Sequence, residues 1–264
     1  MESTPTATVL RGPKLYLVGR QTIDDDALSR FLADHDVSHW TTDTDEAGEK
    51  LVEVAGRLCY MSFARPRPGG NAAYIGHILE VGHGSVLEHA VFSFIITGVS
   101  RSFTHELVRH RAGFGYSQLS QRFVDESECA FVEPDAIAED PELHAIWLDA
   151  ITASQKAYRA LADGLAAKFR DIEDRTLRRK KAREAARSVL PNATETKIFV
   201  TGNARALRHF IEMRGDPAAD VEIRKVALAM LEVLRVASPN LFGDYAIVDL
   251  PEGGRAATTE HRKV

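Results

Sequence analysis

One segment constrains the fold more than any other. Over residues 141–170, apolar side chains recur at the spacing of an α-helix. The apolar positions are Leu143, Ile146, Trp147, Ile151, Tyr158, Leu161, Leu165 and Phe169. A helix of this length buries its apolar face against other elements, because exposing that face to water is unfavourable. The sequence therefore predicts a fold that contains long helices.

The other segments predict further helices and a few short strands. Helical spacing occurs over residues 24–35, 46–60, 71–81, 100–110, 173–190, 203–213 and 220–236. Runs of β-branched and aromatic residues predict strands at 15–18, 91–96, 130–133 and 194–201. Residues 112–120 contain too much Gly and Ser to predict a helix.

Helices and strands do not alternate regularly, so a doubly wound sheet is disfavoured. We predict an α+β fold, a helix-rich single domain around a small, mainly antiparallel sheet. The domain is expected to cover residues 1–250, with a flexible start over 1–13 and a flexible tail over 251–264.

Charge and cysteine content narrow the class of protein. The chain has 33 Lys and Arg against 38 Asp and Glu, whereas general nucleic-acid binders carry a basic excess. The cysteines are Cys59 and Cys129, and no CxxC motif occurs, which fits a reducing compartment. No segment approaches the roughly 20 apolar residues that span a bilayer. We expect a cytoplasmic protein that binds small molecules, with no nucleic-acid or membrane partner.

Cationic side chains gather before and within residues 109–122, RHRAGFGYSQLSQR. On the helix predicted over 100–110, Arg101, His105 and Arg109 are spaced four residues apart and would share one face. Cations on one face repel one another unless an anion lies between them. This face is therefore a candidate anion site.

The rest of the segment has the donors that a phosphorylated heteroaromatic ligand would need. Arg111 and Arg122 have the forked donors that suit phosphate, and Gly113 and Gly115 let the backbone approach a ligand closely. Neutral hydrogen-bonding groups come from Ser117, Gln118, Ser120 and Gln121. The alternative is a solvated basic helix end followed by a polar loop.

Three other polar clusters are candidates. One lies on the helix predicted over 203–213 and contains Asn203, Arg205, Arg208, His209 and Arg214; an amphipathic surface helix is the alternative. The second, HGSVLEH, has His83 and His89 six residues apart with only Glu88 between them as another ligand type. Because zinc sites normally need three or four placed ligands, we predict no metal and a buried, satisfied role for His89.

The third cluster is the basic helix from Arg175 to Arg187, in which Glu184 is the only acid. Most of its cations are expected to be solvated or paired with acids of a neighbouring helix, while Arg183 or Arg187 could reach an anion in a cleft. Binding of RNA is an alternative, although the helix lacks interleaved aromatic residues for base stacking.

Together these segments resemble the flavin-dependent thymidylate synthases. The family motif, RHR followed by a spacer and a Ser with xR after it, is present as Arg109-His110-Arg111 and Ser120-Gln121-Arg122. The spacer, residues 112–119, has eight residues where seven are usual. Similarity extends to GNAAYIGHILEVGHGSVLEH, AREAARSVLPNATET and VTGNARALRHFIEMR, and it spans residues 51–224.

The resemblance implies a reaction, its cofactors and an assembly. The methyl group of dTMP would be built on dUMP, with methylenetetrahydrofolate as the carbon donor. NADPH would be the reductant, and bound FAD would carry the hydride. The family also implies a homotetramer with active sites shared between subunits.

The resemblance also implies site residues. FAD would be held by Ser85, Arg109, His110, Arg111, Gln118, Asn203, Ala204, Arg205 and His209. The dUMP site would be lined by Arg101, Glu106, Leu107, Val108, Arg109, Gln118, Leu119, Ser120, Gln121, Arg122, Arg187 and Arg214. His83 would lie on the folate side of the flavin. Arg214 would be the catalytic residue, because a fixed guanidinium stabilises charge that develops on the uracil ring.

Two other function classes remain open at this point. A cysteine-dependent thymidylate synthase or another nucleotide methyltransferase would use Cys59 or Cys129, neither of which has a clear basic partner in the sequence. A nucleic-acid-binding module would use the basic helix over 175–187, and salt-dependent binding to oligonucleotides would identify it.

Overall fold

The computed structural model describes residues 7–65, 67–251 and 253–262. The strands are β1 (Thr8–Leu10), β2 (Lys14–Arg20), β3 (Val91–Ser100), β4 (Phe114–Gln118), β5 (Ala130–Val132), β6 (Glu195–Asn203), β7 (Ala246–Asp249) and β8 (Arg255–Thr258). The α-helices are α1 (Asp25–Asp34), α2 (Ala47–Leu58), α3 (Gly70–Glu80), α4 (Arg101–Leu107), α5 (Asp135–Ala138), α6 (Pro141–Lys168), α7 (Arg175–Ala186), α8 (Ala204–Arg214), α9 (Val221–Ala237) and α10 (Pro239–Phe242). The described residues also form 3-10 helices at Gly84–His89 and Arg187–Val189.

The strands form three small sheets, and the predicted α+β class is confirmed. The largest sheet has the order β2-β3-β6-β4. Strand β1 pairs in parallel with β5, with Thr8 opposite Ala130, and β7 pairs antiparallel with β8, with Ala246 opposite Thr258.

Two compact units can be distinguished in the chain. Unit 1 consists of Met1–Lys14, Ile96–Val108 and Ser117–Ile198, as far as these residues are described. Unit 2 consists of Leu15–Ile95, Arg109–Tyr116 and Phe199–Val264, with the same restriction. The chain therefore passes between the units inside β2, β3, β4 and β6, and between Val108 and Arg109.

In unit 1, helix α6 confirms the long helical pattern. Asp140 caps its N-terminus by accepting from the amides of Glu142 and Leu143, and the helix packs along α7. Part of the apolar pattern of α6 is exposed. The apolar side chains that this helix buries, Ile151 and Tyr158, lie near its centre. The core beside it consists of Ala7, Cys129, Phe131 and Ile151, with Val9, Trp147, Leu148 and Leu190 packed against them.

Unit 2 has its core where α8 and α9 pack together and where α2 packs on α3. A polar network is buried beside it. Glu49 accepts from Ser238, Thr44 and Asn240, while Glu53 forms a buried ion pair with Arg57. Glu49 and Glu53 thus both have partners, which offset the cost of removing their charges from water.

Several sequence expectations differ from the structure. The helix predicted over 100–110 ends at Leu107, and residues 114–118, within the Gly- and Ser-rich stretch, form strand β4. In the expected flexible termini, residues 8–10 form β1 and residues 255–258 form β8; positions 1–6, 252, 263 and 264 of those termini lie outside the described residues. His89 is exposed, so its expected burial is wrong.

Among the described helices, none combines the length and apolar content that crossing a membrane requires.

Candidate active site

The turn after Arg109 is shaped by a close approach to the start of α8. Gly113 has a left-handed φ of 75°, and its carbonyl accepts from the amide of Asn203 at 3.1 Å. A Cβ at Gly113 would lie 2.7 Å from Asn203 Nδ2 and 2.8 Å from Ala206 Cβ. Only glycine fits there, and the crowding comes from the protein itself. Around Gly115 the space is open.

The same turn is fastened by Tyr116, a residue that no motif indicated. Its hydroxyl donates to the His110 carbonyl at 2.5 Å, and its ring stacks on Phe114. Burial raises the pKa of this phenol, so it remains a donor at neutral pH. The spacer segment 112–116 is therefore tied back to the RHR motif.

His110 is held as a neutral acceptor at the centre of this region. Arg214 Nε donates to His110 Nε2 at 3.0 Å, which requires a lone pair on that nitrogen. Burial, helped by the nearby Arg214, His209 and Arg109 charges, lowers the pKa of His110 to about 4. The ring also packs edge-on against Phe210, with centroids 5.3 Å apart.

These residues line a cavity of about 470 Å³ in unit 2. Its lining consists of Arg109, His110, Arg111, Ala112, Phe114, His209 and Arg214. Three of these residues are arginines, and none of these described lining residues is acidic. Such a cavity favours an anionic ligand, because its described lining carries several positive charges and no negative one.

Helix α8 supplies the second part of the site. Asn203 caps its N-terminus by accepting from the Ala206 amide at 2.9 Å, and the Ala204 amide donates to the Ala90 carbonyl. Arg205 is exposed and pairs with Glu88 at 2.6 Å, while His209 is exposed one turn further on. Asn203 and Ala204 therefore have structural contacts of their own.

Arg208 does not belong to the exposed polar face that the sequence suggested. It is buried, forms a bidentate pair with Asp244, donates to the Leu241 carbonyl and lies over the Tyr245 ring. Its role is to fasten α8 to the segment after α10. Asp244 lies far away in the chain, and no spacing pointed to it.

His83 and Ser85 line a neighbouring cavity of about 370 Å³, which also includes Cys59, Tyr60, Tyr74 and Arg205. A third cavity, of about 440 Å³, contains Arg205, Arg208, His209, Glu212 and His261. Arg205 and His209 each line two of these three cavities. Of the expected FAD residues of unit 2, Ser85, Arg109, His110, Arg111, Arg205 and His209 line these cavities, whereas Asn203 and Ala204 line none of them.

In unit 1, Arg101 is the first residue of α4 and has an unusual environment. Its Nη2 donates to the Leu119 carbonyl at 2.8 Å, whereas its Nε is buried without a partner among the described residues. Burial lowers the pKa of Arg101, Glu126 opposes this effect, and Arg187 adds to it. Repulsion between Arg101 and Arg187 and an unsatisfied donor are what an anion would relieve.

Glu126 was missed by the sequence analysis. One of its carboxylate oxygens is buried without a partner among the described residues, and burial raises the pKa of the side chain. It lies in a loop without a motif. Unit 1 therefore contains a buried acceptor as well as the buried donor on Arg101.

Several other residues of unit 1 that are expected to bind dUMP form hydrogen bonds or ion pairs within the protein. Gln118 donates to Thr104 and Thr196, the Ser120 hydroxyl accepts from the Arg122 amide, and Arg122 pairs with Glu184 at 2.8 Å. The exposure of the remaining positions varies: Glu106 and Arg187 are half-buried, Leu107 and Gln121 are buried, and Val108 is exposed.

Two expectations about this region change. Because α4 ends at Leu107, Arg109 lies outside the helix and cannot share a helical face with Arg101 and His105. In the basic helix α7, Arg175, Arg179 and Lys181 are exposed as expected, but two other cations do not pair with acids of a neighbouring helix. Arg183 pairs with Asp125, and Lys180 lies over the Phe123 ring, so its partners come from a loop.

Comparison with known proteins gives one consistent result. The family model described as thymidylate synthase complementing protein (Thy1) matches residues 41–240. A flavin-dependent thymidylate synthase of Mycolicibacterium gilvum is 54% identical over 235 residues, which cover 88% of this chain and 93% of that protein. One of Mycobacterium tuberculosis is 52% identical over 235 residues, with the same coverage.

A solved structure has a similar fold. It is a UMP/dUMP methylase, PolB, from Streptomyces cacaoi, bound with 5-Br UMP, and it matches with a TM-score of 0.65 at 20% identity. The match covers 90% of this chain and 96% of that one. At this identity the likeness shows the fold alone.

Proposed function

Because the chain belongs to the flavin-dependent thymidylate synthase family, we propose that it makes dTMP from dUMP with methylenetetrahydrofolate, NADPH and FAD. That it is a flavin-dependent thymidylate synthase follows from the family. The identity of the carbon donor, the reductant and the residue roles are the proposal.

The observation that carries the proposal is the 470 Å³ cavity around His110. Three arginines and a neutral imidazole surround it, so it fits a ligand with both anionic and flat ring groups. FAD meets this description through its pyrophosphate and isoalloxazine. Arg109, Arg111, Arg205 and His209 would hold FAD, with Ser85, His110, Gln118, Asn203 and Ala204 also contributing.

Bound flavin would supply the hydride chemistry, while the protein supplies binding, orientation and charge. Arg214 would stabilise negative charge on the uracil amide as the ring carbon attacks. Its bond to His110 restrains the guanidinium plane, so little reorganisation is needed when the charge develops. His83 would lie on the folate side.

His110 has to stay neutral for this arrangement. A protonated ring would have no lone pair for Arg214 and would add a fourth positive charge to the cavity lining. Its lowered pKa keeps the ring neutral at physiological pH. We therefore assign His110 a part in orienting Arg214, in addition to any contact with FAD.

The dUMP phosphate would be bound by Arg101 and Arg187, with Ser120, Gln121 and Arg122 nearby. Arg101 Nε is buried without a partner among the described residues, and a phosphate oxygen would satisfy this donor. The proposal also includes a homotetramer with shared active sites and a cytoplasmic location. Sedimentation of the purified protein tests the tetramer.

The experiment that tests the function uses the purified full chain. We expect visible flavin absorbance and formation of dTMP when dUMP, methylenetetrahydrofolate and NADPH are all present. Omitting each compound in turn is the control, and each omission should stop the reaction. A colourless protein that takes up no added FAD would contradict the proposal.

A further inference from the structure

The C-terminal segment 255–262 lies beyond the part of the chain that the family model matches, and it packs on α8. Strand β8 begins this segment, and the Ala257 amide donates to the Gly215 carbonyl at 2.8 Å. Gly215 directly follows Arg214, the last residue of α8. The backbone next to Arg214 is therefore held by the end of the chain.

Arg262 makes a second contact across the same helix end. Its guanidinium lies 3.3 Å from Glu212 and 3.6 Å from Asp216, which are the residues two positions before and two after Arg214. A cation at the C-terminus of a helix is also favoured by the helix dipole. Glu212 is almost fully buried, which limits the freedom of the pair on its side.

Thr259 makes the third contact. Its hydroxyl donates to Asp244 at 2.6 Å, and the same carboxylate forms the bidentate pair with Arg208 in the middle of α8. The segment is thus joined to α8 at its centre, through Asp244, and at its C-terminal end, through Arg262 and Ala257. Three separate contacts restrain both the position and the tilt of the helix end.

From these contacts we infer that residues 255–262 clamp the end of α8 and thereby position Arg214 for the reaction. Arg262 and Thr259 are positioning residues, because they act through α8. This inference rests on the proposed role of Arg214. Misplacement of a catalytic group by about 1 Å can lower the rate by about 100-fold, so a modest loosening should be measurable in kcat.

The test compares Arg262→Ala and Thr259→Val, singly and together, with matched controls. Arg255→Ala removes an exposed ion pair between β8 and Glu232 of α9. Thr258→Val changes the exposed threonine next to Thr259. Each single clamp variant should lower kcat by about threefold to tenfold. The KM for dUMP, the flavin content and the activity of both controls should stay at wild-type values.

Two readouts separate positioning from a general loss of structure. Arg262→Lys should recover part of the lost kcat, because an ammonium group can reach one of the two carboxylates. A less restrained Arg214 should also raise the pKa of His110. NMR measures this pKa, and the His110→Gln variant identifies the His110 signal. This second readout does not require turnover, so it tests the clamp even if the proposed reaction is wrong.

The outcomes are distinct. Loss of kcat in Arg262→Ala with a raised His110 pKa supports the clamp. An unchanged kcat and His110 pKa in Arg262→Ala and in the double variant overturn it, as does an equal loss in the two controls. If the double variant does not fold, the Arg262→Ala variant alone tests the clamp. The Arg262 side chain is about half exposed, so its removal leaves the core intact. A wild-type protein that makes no dTMP contradicts the proposed function alone.

Discussion

The two candidate binding regions differ in how one proposed functional arginine of each, Arg214 or Arg101, is held. In unit 2, Arg214 is oriented by a neutral histidine, and the cavity lining around it contains no acidic side chain among the described residues. In unit 1, Arg101 donates to a backbone carbonyl, while Arg122 and Arg183 pair with carboxylates.

This difference suggests that the two regions have different roles in the reaction. A guanidinium restrained by a neutral histidine can be oriented towards a group that becomes negative during a reaction. A guanidinium fixed by carbonyls and acids is better suited to binding an anion that is already present. We therefore expect variants in unit 2 to affect turnover and variants in unit 1 to affect substrate affinity.

The sharpest test of this comparison is Arg214→Ala. Removing a preorganised charge should lower the rate of dTMP formation by about 100- to 1000-fold while flavin stays bound. Steady-state kinetics and the visible spectrum measure the two quantities. Arg235→Ala, on the exposed face of α9, is the matched control and should behave as wild type. Normal turnover in Arg214→Ala would remove the proposed role.

The counterpart in unit 1 is Arg101→Gln. Loss of a charged hydrogen bond to phosphate should raise the KM for dUMP by about 10- to 100-fold, with a smaller effect on kcat. The control is Arg179→Gln, on the exposed side of α7. If kcat falls while KM stays constant, the contrast between the two regions is wrong.

A smaller effect is expected from Gly113→Ala, which probes how the unit 2 turn is built. The left-handed backbone and the crowding by Asn203 and Ala206 should cost about 1–3 kcal/mol of stability and weaken flavin binding. Gly115→Ala has open space and serves as the control. Urea denaturation and flavin titration measure both effects, and equal behaviour of the two variants would contradict this account.

The pH dependence of the two regions should have opposite signs. The folded pKa of His110, about 4, is below its ordinary value of 6.5. Its contribution to stability is therefore complete above pH 6.5 and is lost as pH falls towards 4. Glu126 has a raised pKa, so its protonation on acidification favours the folded state.

His110→Gln isolates the histidine part of this effect, because the amide keeps an acceptor but does not titrate. The variant should lose less stability than wild type between pH 7 and pH 4.5. Denaturation at several pH values measures the difference. Parallel curves for the two proteins would show that His110 does not titrate as described.

The smallest effect is expected at the cysteines. Cys129 is buried, and burial raises the pKa of its thiol to about 12, so it is a poor nucleophile. Turnover by Cys59→Ser and Cys129→Ala should stay near the wild-type value, measured with equal flavin content. Complete loss of activity in either variant, with the fold intact, would favour a cysteine-dependent mechanism.

Local patterns predicted the helices well because their apolar spacing agrees with their packing. Helix α6 follows its pattern to within two residues at its C-terminus, at Lys168. Strand β4 was missed because its pairing with β6 overrides the low strand preference of glycine and serine. Strand β8 was missed because its sequence, RAAT, contains two alanines, which have a low strand preference, although its partner β7 is close in the sequence.

The candidate site shows the same limit. Motif resemblance named both Arg214 and His110, but nothing in the spacing of residues 104 positions apart predicts that one donates to the other. Arg208 was placed on the polar face of α8 because its buried partner, Asp244, is 36 positions away. The sequence could predict which residues have functional side chains. The contacts that determine the charge state of these side chains are visible only in the folded structure.

The parallel pairing of β1 with β5 has a consequence for biosynthesis. Thr8 lies opposite Ala130, and Arg11 binds Glu133 at a separation of 122 residues. A ribosome that adds about 5–20 residues per second needs roughly 6–24 seconds to make that stretch. During this interval the first strand has left the ribosome without its partner. Chaperones that shield nascent chains would therefore have an opportunity to act on strand β1.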